Sequence, residues 1–403
     1  MDAFNSKLRE VVDSAVKSTI DINQEIELDC TLLDLYQKRK KMLNLTDRQI
    51  QIILGMDKKT LIPILDGTAK QVNFINIVKL AHFFGVSVND LIKFYIPQMD
   101  AKSIGEIQRS REAGYIVENF DISILTKMKF FNKDSSAAEM REKIEYFFGL
   151  SSLFDYSGNS SFVAFSRTKR NSSDLMRNFW VQSAITLFEN IKNPHNYNRA
   201  GLLELIPKIR PYTRDVENGL TKVVKALFNV GVTVIFQPTV DNLQVRGATI
   251  SINNKPCIVL SDFQKNYPTL WFALLHELHH VLFDFEEIEK RVYHLTSSEG
   301  DLFLMDEEKA DNFATAFFLN ESRLKYAGSY INSNLHIKKL AEEWSIHPSL
   351  IYSFYCYKNG DWQFYNKYIP KMDEAVSLLN THPFESDSLY EAANKIKELI
   401  FNI

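Results

Sequence analysis

One stretch constrains this chain more than any other: Thr269 to Phe285, which reads TLWFALLHELHHVLFDF. From Leu270 to Phe283 it is apolar except for Glu277 and three histidines. The pattern predicts a helix over Tyr267–Phe283, and the interruptions keep it short of the roughly 18 apolar residues that a membrane-spanning helix needs. His276, Glu277 and His280 form H-E-x-x-H. On a helix, residues four apart share a face, so both imidazoles can reach one metal ion. Glu277 lies about 100° around the helix from His276, within reach of a water at that metal, and is the candidate general base.

Two histidines leave a catalytic zinc one protein ligand short. Downstream lies FLMDEEKADNFATAFFL, a second apolar helix expected over Leu304–Leu319. Its first turn offers Glu307 and Glu308. Asp311 follows Glu307 by four residues and shares its face, so it can hold the distal N–H of a ligand histidine. Glu308 with Asn312 has the same spacing, but an amide is the weaker acceptor, which makes Glu307 the preferred third ligand. His279 points to another face, where it packs or lines the cleft. Tyr293 and His294 fall on the connection between the two helices and are candidates for stabilising an oxyanion.

Ahead of this pair the character of the chain is β. Gly231–Gln237 is β-branched and aromatic, and Leu243–Ile252 and Lys255–Leu260 flank Asn253-Asn254, a hairpin turn signal. Lys255–Leu260 is expected as an edge strand beside which a peptide could lie extended. Residues 98–230 read as mainly helical, clearest at Ala137–Phe148, Asp174–Ile191 and Asp215–Val230, with Ser157–Ser173 as an exposed connection. A helix pair around Ile337–Tyr357 and a last amphipathic helix, Ser388–Ile400, complete the chain.

The N-terminal part is punctuated helix by helix. Residues 1–29 suggest one amphipathic helix that packs on the next domain or pairs with a second copy in a homodimer. Between 30 and 97, cap residues precede each apolar run and glycines follow it, predicting a compact set of short helices. The segment TDRQIQIILGMDKKTLIPILDG has helix-turn-helix length, with Lys58, Lys59 and Thr60 opening the recognition helix and Pro63 inside it. Lys38, Arg39, Lys40 and Lys41 form a basic cluster suited to phosphates. The formal net charge is −3, so any surface for double-stranded DNA must come from such local clustering. Cys30, Cys257 and Cys356 are odd in number and form no CxxC pair. They argue against a disulfide framework or thiolate zinc site and fit a reducing cytoplasm. The charged start, MDAFNSKLREVVDS, is not expected to be a signal peptide.

HELHH followed by EEKADNFA resembles the ImmA/IrrE family of bacterial and phage metallopeptidases, as do GVTVIFQP, VRGATI, PCIVLSD and WFALLHELHH, over residues from about 200 to 335. The helices at 31–95, ending in FFGVSVNDLI, are similar to the XRE-type helix-turn-helix. KIEYFFGLSSLFDY, VAFSRT and IKKLAEEWSIHPSLIY resemble parts of large HigA-like antitoxin regulators with the same two domains. The resemblance implies an α+β, mostly helical chain. Its expected segments are an amphipathic helix at 1–29, a helix-turn-helix domain at 30–97, a helical linker at 98–199, a zincin-like metallopeptidase at 200–335 and a helical region at 336–403. It implies Zn2+ on His276, His280 and Glu307, with Glu277 catalytic, in a cytoplasmic transcription regulator that acts on a specific protein substrate or repressor. The alternative is a DNA-binding repressor or antitoxin whose peptidase domain is a sensor or scaffold.

Overall fold

The computed structural model describes residues 31–69, 71–96, 101–156, 172–241, 243, 245–262, 266–291, 293–297, 307–379 and 383–401. The helix expected over 1–29 and most of the connection expected at 157–173 lie outside them, as do residues 304–306 of the segment expected as a helix over Leu304–Leu319. The chain divides into two compact units, Met1–Arg111 and Glu112–Ile403.

The described part of the first unit is helical. It contains α1 (Leu32–Leu43), α2 (Asp47–Leu54), α3 (Lys58–Leu65), α4 (Phe74–Phe84) and α5 (Val88–Tyr95). Thr31 and Thr46 start α1 and α2 with reciprocal capping boxes to Asp34 and Gln49, which satisfy backbone donors the helices leave open. Asp57 caps α3 by accepting from the Thr60 N–H at 2.8 Å. Gly55 follows α2 with φ 54°, a left-handed conformation that favours glycine and turns the chain sharply into α3. Leu32, Tyr36, Ile50, Leu54, Leu61, Leu65, Leu80 and Leu91 converge on one small core. The α3 helix runs through Pro63 and stops two residues later. A proline so near the end forfeits one main-chain hydrogen bond without breaking a long ladder.

The second unit is built on one continuous hydrophobic core that runs from Ile116 to Ile400. The segments expected as linker, peptidase and C-terminal region all contribute to it. After α6 (Ala101–Asn119), which contains the division between units, come α7 (Ala137–Phe148), α8 (Ser172–Ile191) and α9 (Gly219–Asn229). The α9 helix starts later than its apolar spacing suggests, because Asp215 holds a turn by accepting from the Asn218 N–H at 3.2 Å.

A four-stranded sheet follows, of β1 (Thr233–Phe236), β2 (Val245–Ile252), β3 (Lys255–Leu260) and β4 (Tyr293–Ser297), in spatial order β1-β3-β2-β4. The β2–β3 hairpin turns on Asn253 and Asn254, with φ of 53° and 60° and Ile252 opposite Lys255. Positive φ at both central residues is what a tight hairpin requires, and asparagine tolerates it. β3 is not the expected edge strand. It pairs antiparallel with β2 and, on its other side, parallel with β1, Thr233 opposite Cys257 through Phe236 opposite Leu260. The hairpin alone leaves one side of each strand open. The buried strand β1 claims the free side of β3, and β4 claims that of β2, pairing antiparallel with Val245 to Ile250. β4 is therefore the edge strand at this end of the sheet.

Against the sheet lies α10 (Tyr267–Phe283), in contact with β2, β3, α11 (Glu307–Phe318) and α12 (Pro348–Asn359). Asn266 caps its start and Pro268 occupies its first turn. Trp271, Leu274, Leu275 and Leu278 are fully buried on it. Each such side chain contributes on the order of 1.5–3 kcal/mol over leaving it in water. That burial holds the polar members of the helix inside the protein. A further helix, α13 (Leu389–Ile396), packs against α8. No helix among the described residues is long and apolar enough to cross a membrane.

Candidate metal centre

The side chains of His276 and His280 are buried, and their rings meet at the centre of the second unit. His276 Nδ1 lies 2.8 Å from Asp311 Oδ1, and its Nε2 lies 3.1 Å from Glu307 Oε2. His280 Nδ1 lies 2.8 Å from Asp284 Oδ2. His280 Nε2 lies 3.1 Å from His276 Nε2 and 3.5 Å from Glu307 Oε1. An ionised carboxylate only accepts, so each Nδ1 carries a proton, and with a cation bound between them each Nε2 would offer it a lone pair. Two imidazole lone pairs and a carboxylate thus converge, with donor atoms of His276, His280 and Glu307 within 4.8 Å of one another. Such a set repels itself unless a positive charge sits among it. Two imidazoles and one carboxylate are the donors zinc accepts at catalytic sites.

The protonation balance of His276 gives the same electrostatic demand. Burial opposes a charge on its ring, but the hydrogen bonds of Asp311 and Glu307 and the charge of Glu277 outweigh that cost. The pKa is pushed up to about 10. Either a proton or a cation meets this demand for positive charge.

Glu307 is the glutamate that faces the histidines, and Asp311 reaches His276 from the next turn of the same helix. Asp284, which orients His280, escaped the sequence reading, although its i, i+4 spacing from His280 was open to inspection. A second trio, His279, His280 and Asp284, also brings ligand atoms within 4.8 Å. Its His280–Asp284 contact uses the nitrogen that orients the ring. The His279 ring packs on Phe283 and Phe313 at centroid distances of 4.8 and 5.6 Å, a packing position as expected.

Glu277 is fully buried beside the histidines. The Thr249 hydroxyl donates to its Oε2 at 2.7 Å. Its Oε1 has no hydrogen-bond partner among the described residues. Gly247 makes room for this carboxylate, since a Cβ there would lie 2.6 Å from Oε1 and 3.0 Å from Cγ. β2 thus clamps one oxygen and leaves the other without a partner among the described residues. No sequence pattern signalled Gly247 or Thr249, because their role depends on how β2 crosses α10.

Tyr293 and His294 are not on an irregular connection. They lie in β4, opposite Ile250 and Thr249 respectively, because this segment completes the pairing of β2. In the first unit, Lys58, Lys59 and Thr60 are exposed on the first turn of α3. The basic cluster on α1 is partly committed: Lys40 pairs with Asp47 at 2.7 Å and the Arg39 Nε–H donates to the Phe83 carbonyl at 3.0 Å. Cys257 and Cys356 are buried free thiols.

No family model, curated protein or solved structure matches this chain. Its functional reading therefore stands on its own residues.

Proposed function

We propose that the chain is a zinc-dependent peptidase acting on a specific protein partner, within a transcription regulator that carries a helix-turn-helix module. This is the arrangement expected of an ImmA/IrrE-like zincin. The observation that carries the reading is the convergence of His276 Nε2, His280 Nε2 and the Glu307 carboxylate, with Glu277 alongside. These three side chains would hold the ion, which when bound supplies Lewis-acid polarisation of the scissile carbonyl. Asp311 and Asp284 keep both rings in the tautomer that offers Nε2. Glu277 takes the proton of the attacking water at Oε1 and delivers it to the departing amine. Thr249 holds Oε2 so that Oε1 is the oxygen presented. β4 offers its outer edge for an extended substrate strand. Tyr293 and His294 are the candidates for steadying the oxyanion, since β4 pairs with the strand that carries Thr249.

Double-stranded DNA is the proposed partner of the first unit, through Lys58, Lys59 and Thr60. Their exposure at the start of α3 also favours a second reading, a repressor or antitoxin whose peptidase fold is a sensor or scaffold. The two readings separate on Glu277→Gln. The variant should retain stoichiometric zinc by elemental analysis, while the partner that disappears from wild-type cells persists in variant cells. Purified chain without zinc, or identical proteomes for the two proteins, would refute the peptidase. For DNA, the Lys58→Ala/Lys59→Ala double variant should lower the slope of log affinity against log salt by about two, from roughly 0.9 per phosphate contact. An unchanged slope rules out this face.

A further inference from the structure

Beside His276 a cavity of about 240 Å³ opens between β2, α10, α11 and α12. Pro268, Phe272, Phe354 and Tyr357 give it apolar walls, and Arg246 and Asp311 bring charge to it. It adjoins the candidate metal centre: the Phe272 ring lies 6.0 Å from that of His276, and Asp311 is the carboxylate on His276 Nδ1.

Asp311 is therefore committed, whereas Arg246 is not. Its Nε is buried without a hydrogen-bond partner, and it enters no ion pair among the described residues. A buried donor left unmade costs the desolvation of that group, so it is one that a ligand or a water would complete. The backbone accounts for its placement. Opposite β4, Val245 faces Ser297 and Gly247 faces Thr296, so Arg246 is the extra residue of a β-bulge. Bulges re-aim a side chain and recur beside active sites. Ser261 anchors this one: its N–H donates to the Arg246 carbonyl at 3.3 Å and its hydroxyl to the Val245 carbonyl. The next residue, Gly247, is the one that lies against Glu277. One irregularity in β2 thus serves both the cavity and the base.

Resting on the peptidase reading above, we propose that this cavity is the subsite for an aromatic or long apolar side chain of the substrate, next to the bond that is cut. The Arg246 guanidinium donates to a main-chain carbonyl of the same segment. A dry cavity of about 150 Å³ suffices for benzene. The larger volume here takes a phenyl ring with its methylene and adjoining main chain, whereas alanine leaves most of the wall uncovered. Asp311 on the same wall repels an acidic side chain.

The test uses the full chain as wild type, Arg246→Met and Thr315→Trp, whose indole fills the cavity from α11; Thr315→Leu serves as a milder filler should the tryptophan variant melt early. The probes are N-acetyl-phenylalanine methylamide and N-acetyl-alanine methylamide, titrated by ligand-observed NMR. Zinc content and cleavage of a quenched-fluorescence peptide library are measured on the same samples. The phenylalanine probe should bind at least fivefold more tightly than the alanine probe. Arg246→Met should weaken both about fivefold, and the filled cavity should abolish the preference. Equal binding of the two probes, or a preference that survives filling, overturns the assignment. Library cleavage without aromatic or long apolar preference at any position overturns the subsite and leaves the peptidase standing. A protein without zinc or cleavage that keeps the filling-sensitive preference sinks the peptidase and supports the cavity.

Discussion

Gly247→Ala is the smallest change that should silence the proposed base while sparing the metal ligands. The backbone at Gly247 lies outside the left-handed region, so alanine is tolerated there by conformation, and the effect is one of contact. The new methyl would sit 2.6 Å from Glu277 Oε1, where ordinary contact begins at 3.4 Å, so the oxygen must retreat by about 0.8 Å. That displacement pulls Oε2 away from the Thr249 hydroxyl, now at 2.7 Å. Misplacing a reacting group by about 1 Å costs on the order of 100-fold in rate, or roughly 2.7 kcal/mol of barrier. His276, His280 and Glu307 are untouched, so zinc content should equal that of wild type. The assay is cleavage of the partner identified by comparing wild-type and Glu277→Gln cells, at matched zinc occupancy, with Thr249→Val as companion. The valine variant keeps the space but loses the hydroxyl, and should fall by a smaller factor of about ten, as for one hydrogen bond to a charged group. Wild-type turnover by zinc-loaded Gly247→Ala would refute the reasoning, because Glu277 would then not be the base or would not be held by β2.

Further outcomes follow from the same geometry. Glu307→Gln should lower zinc affinity far more than Glu308→Gln in a competitive chelator titration, and equal losses would return Glu308 to contention. Asp311→Asn and Asp284→Asn should each weaken zinc about 10–100-fold by releasing a ligand ring from its orientation, and unchanged affinity would remove them from the site. His347 supplies a pH-dependent stability. Burial depresses its pKa from 6.5 to about 4. The unfolded chain therefore binds the proton first, and the His347 contribution is complete above pH 6.5, falls as pH drops towards 4, and changes no further below that. With a discount for part exposure the loss is about 2 kcal/mol. His347→Asn, which keeps a capping side chain on α12, should flatten the dependence of the melting temperature between those limits, and an unaltered slope would refute the assignment.

The HExxH helix was legible because its information is local. Spacing of four on a helix decides that His276 and His280 share a face, whatever the rest of the chain does. The same holds for Glu307 with Asp311, for the cap at Asp57, and for the Asn253-Asn254 turn. Asp284 obeyed the same rule one turn beyond His280, so local spacing contained it too. Sheet order was a different kind of question. A hairpin has two free sides, and which side receives β1 and which β4 depends on segments far apart in the chain. Lys255–Leu260 therefore reads as an edge strand in sequence although β1 makes it interior, and the segment of Tyr293 and His294 reads as a connection although β2 gives it a partner.

What the amino-acid order alone determined was the set of side chains: two imidazoles, a carboxylate between them, and an acidic turn that follows. What only the tertiary structure decided was how those side chains are completed. Packing of β2 across α10 brings Thr249 and Gly247 onto Glu277, and a bulge in the same strand turns Arg246 into the cavity. These residues stand far along the chain from Glu277, 28 positions for the Thr249–Glu277 pair. No periodicity links them, because their contact is made by a sheet and a helix crossing in space rather than by a shared turn of one helix.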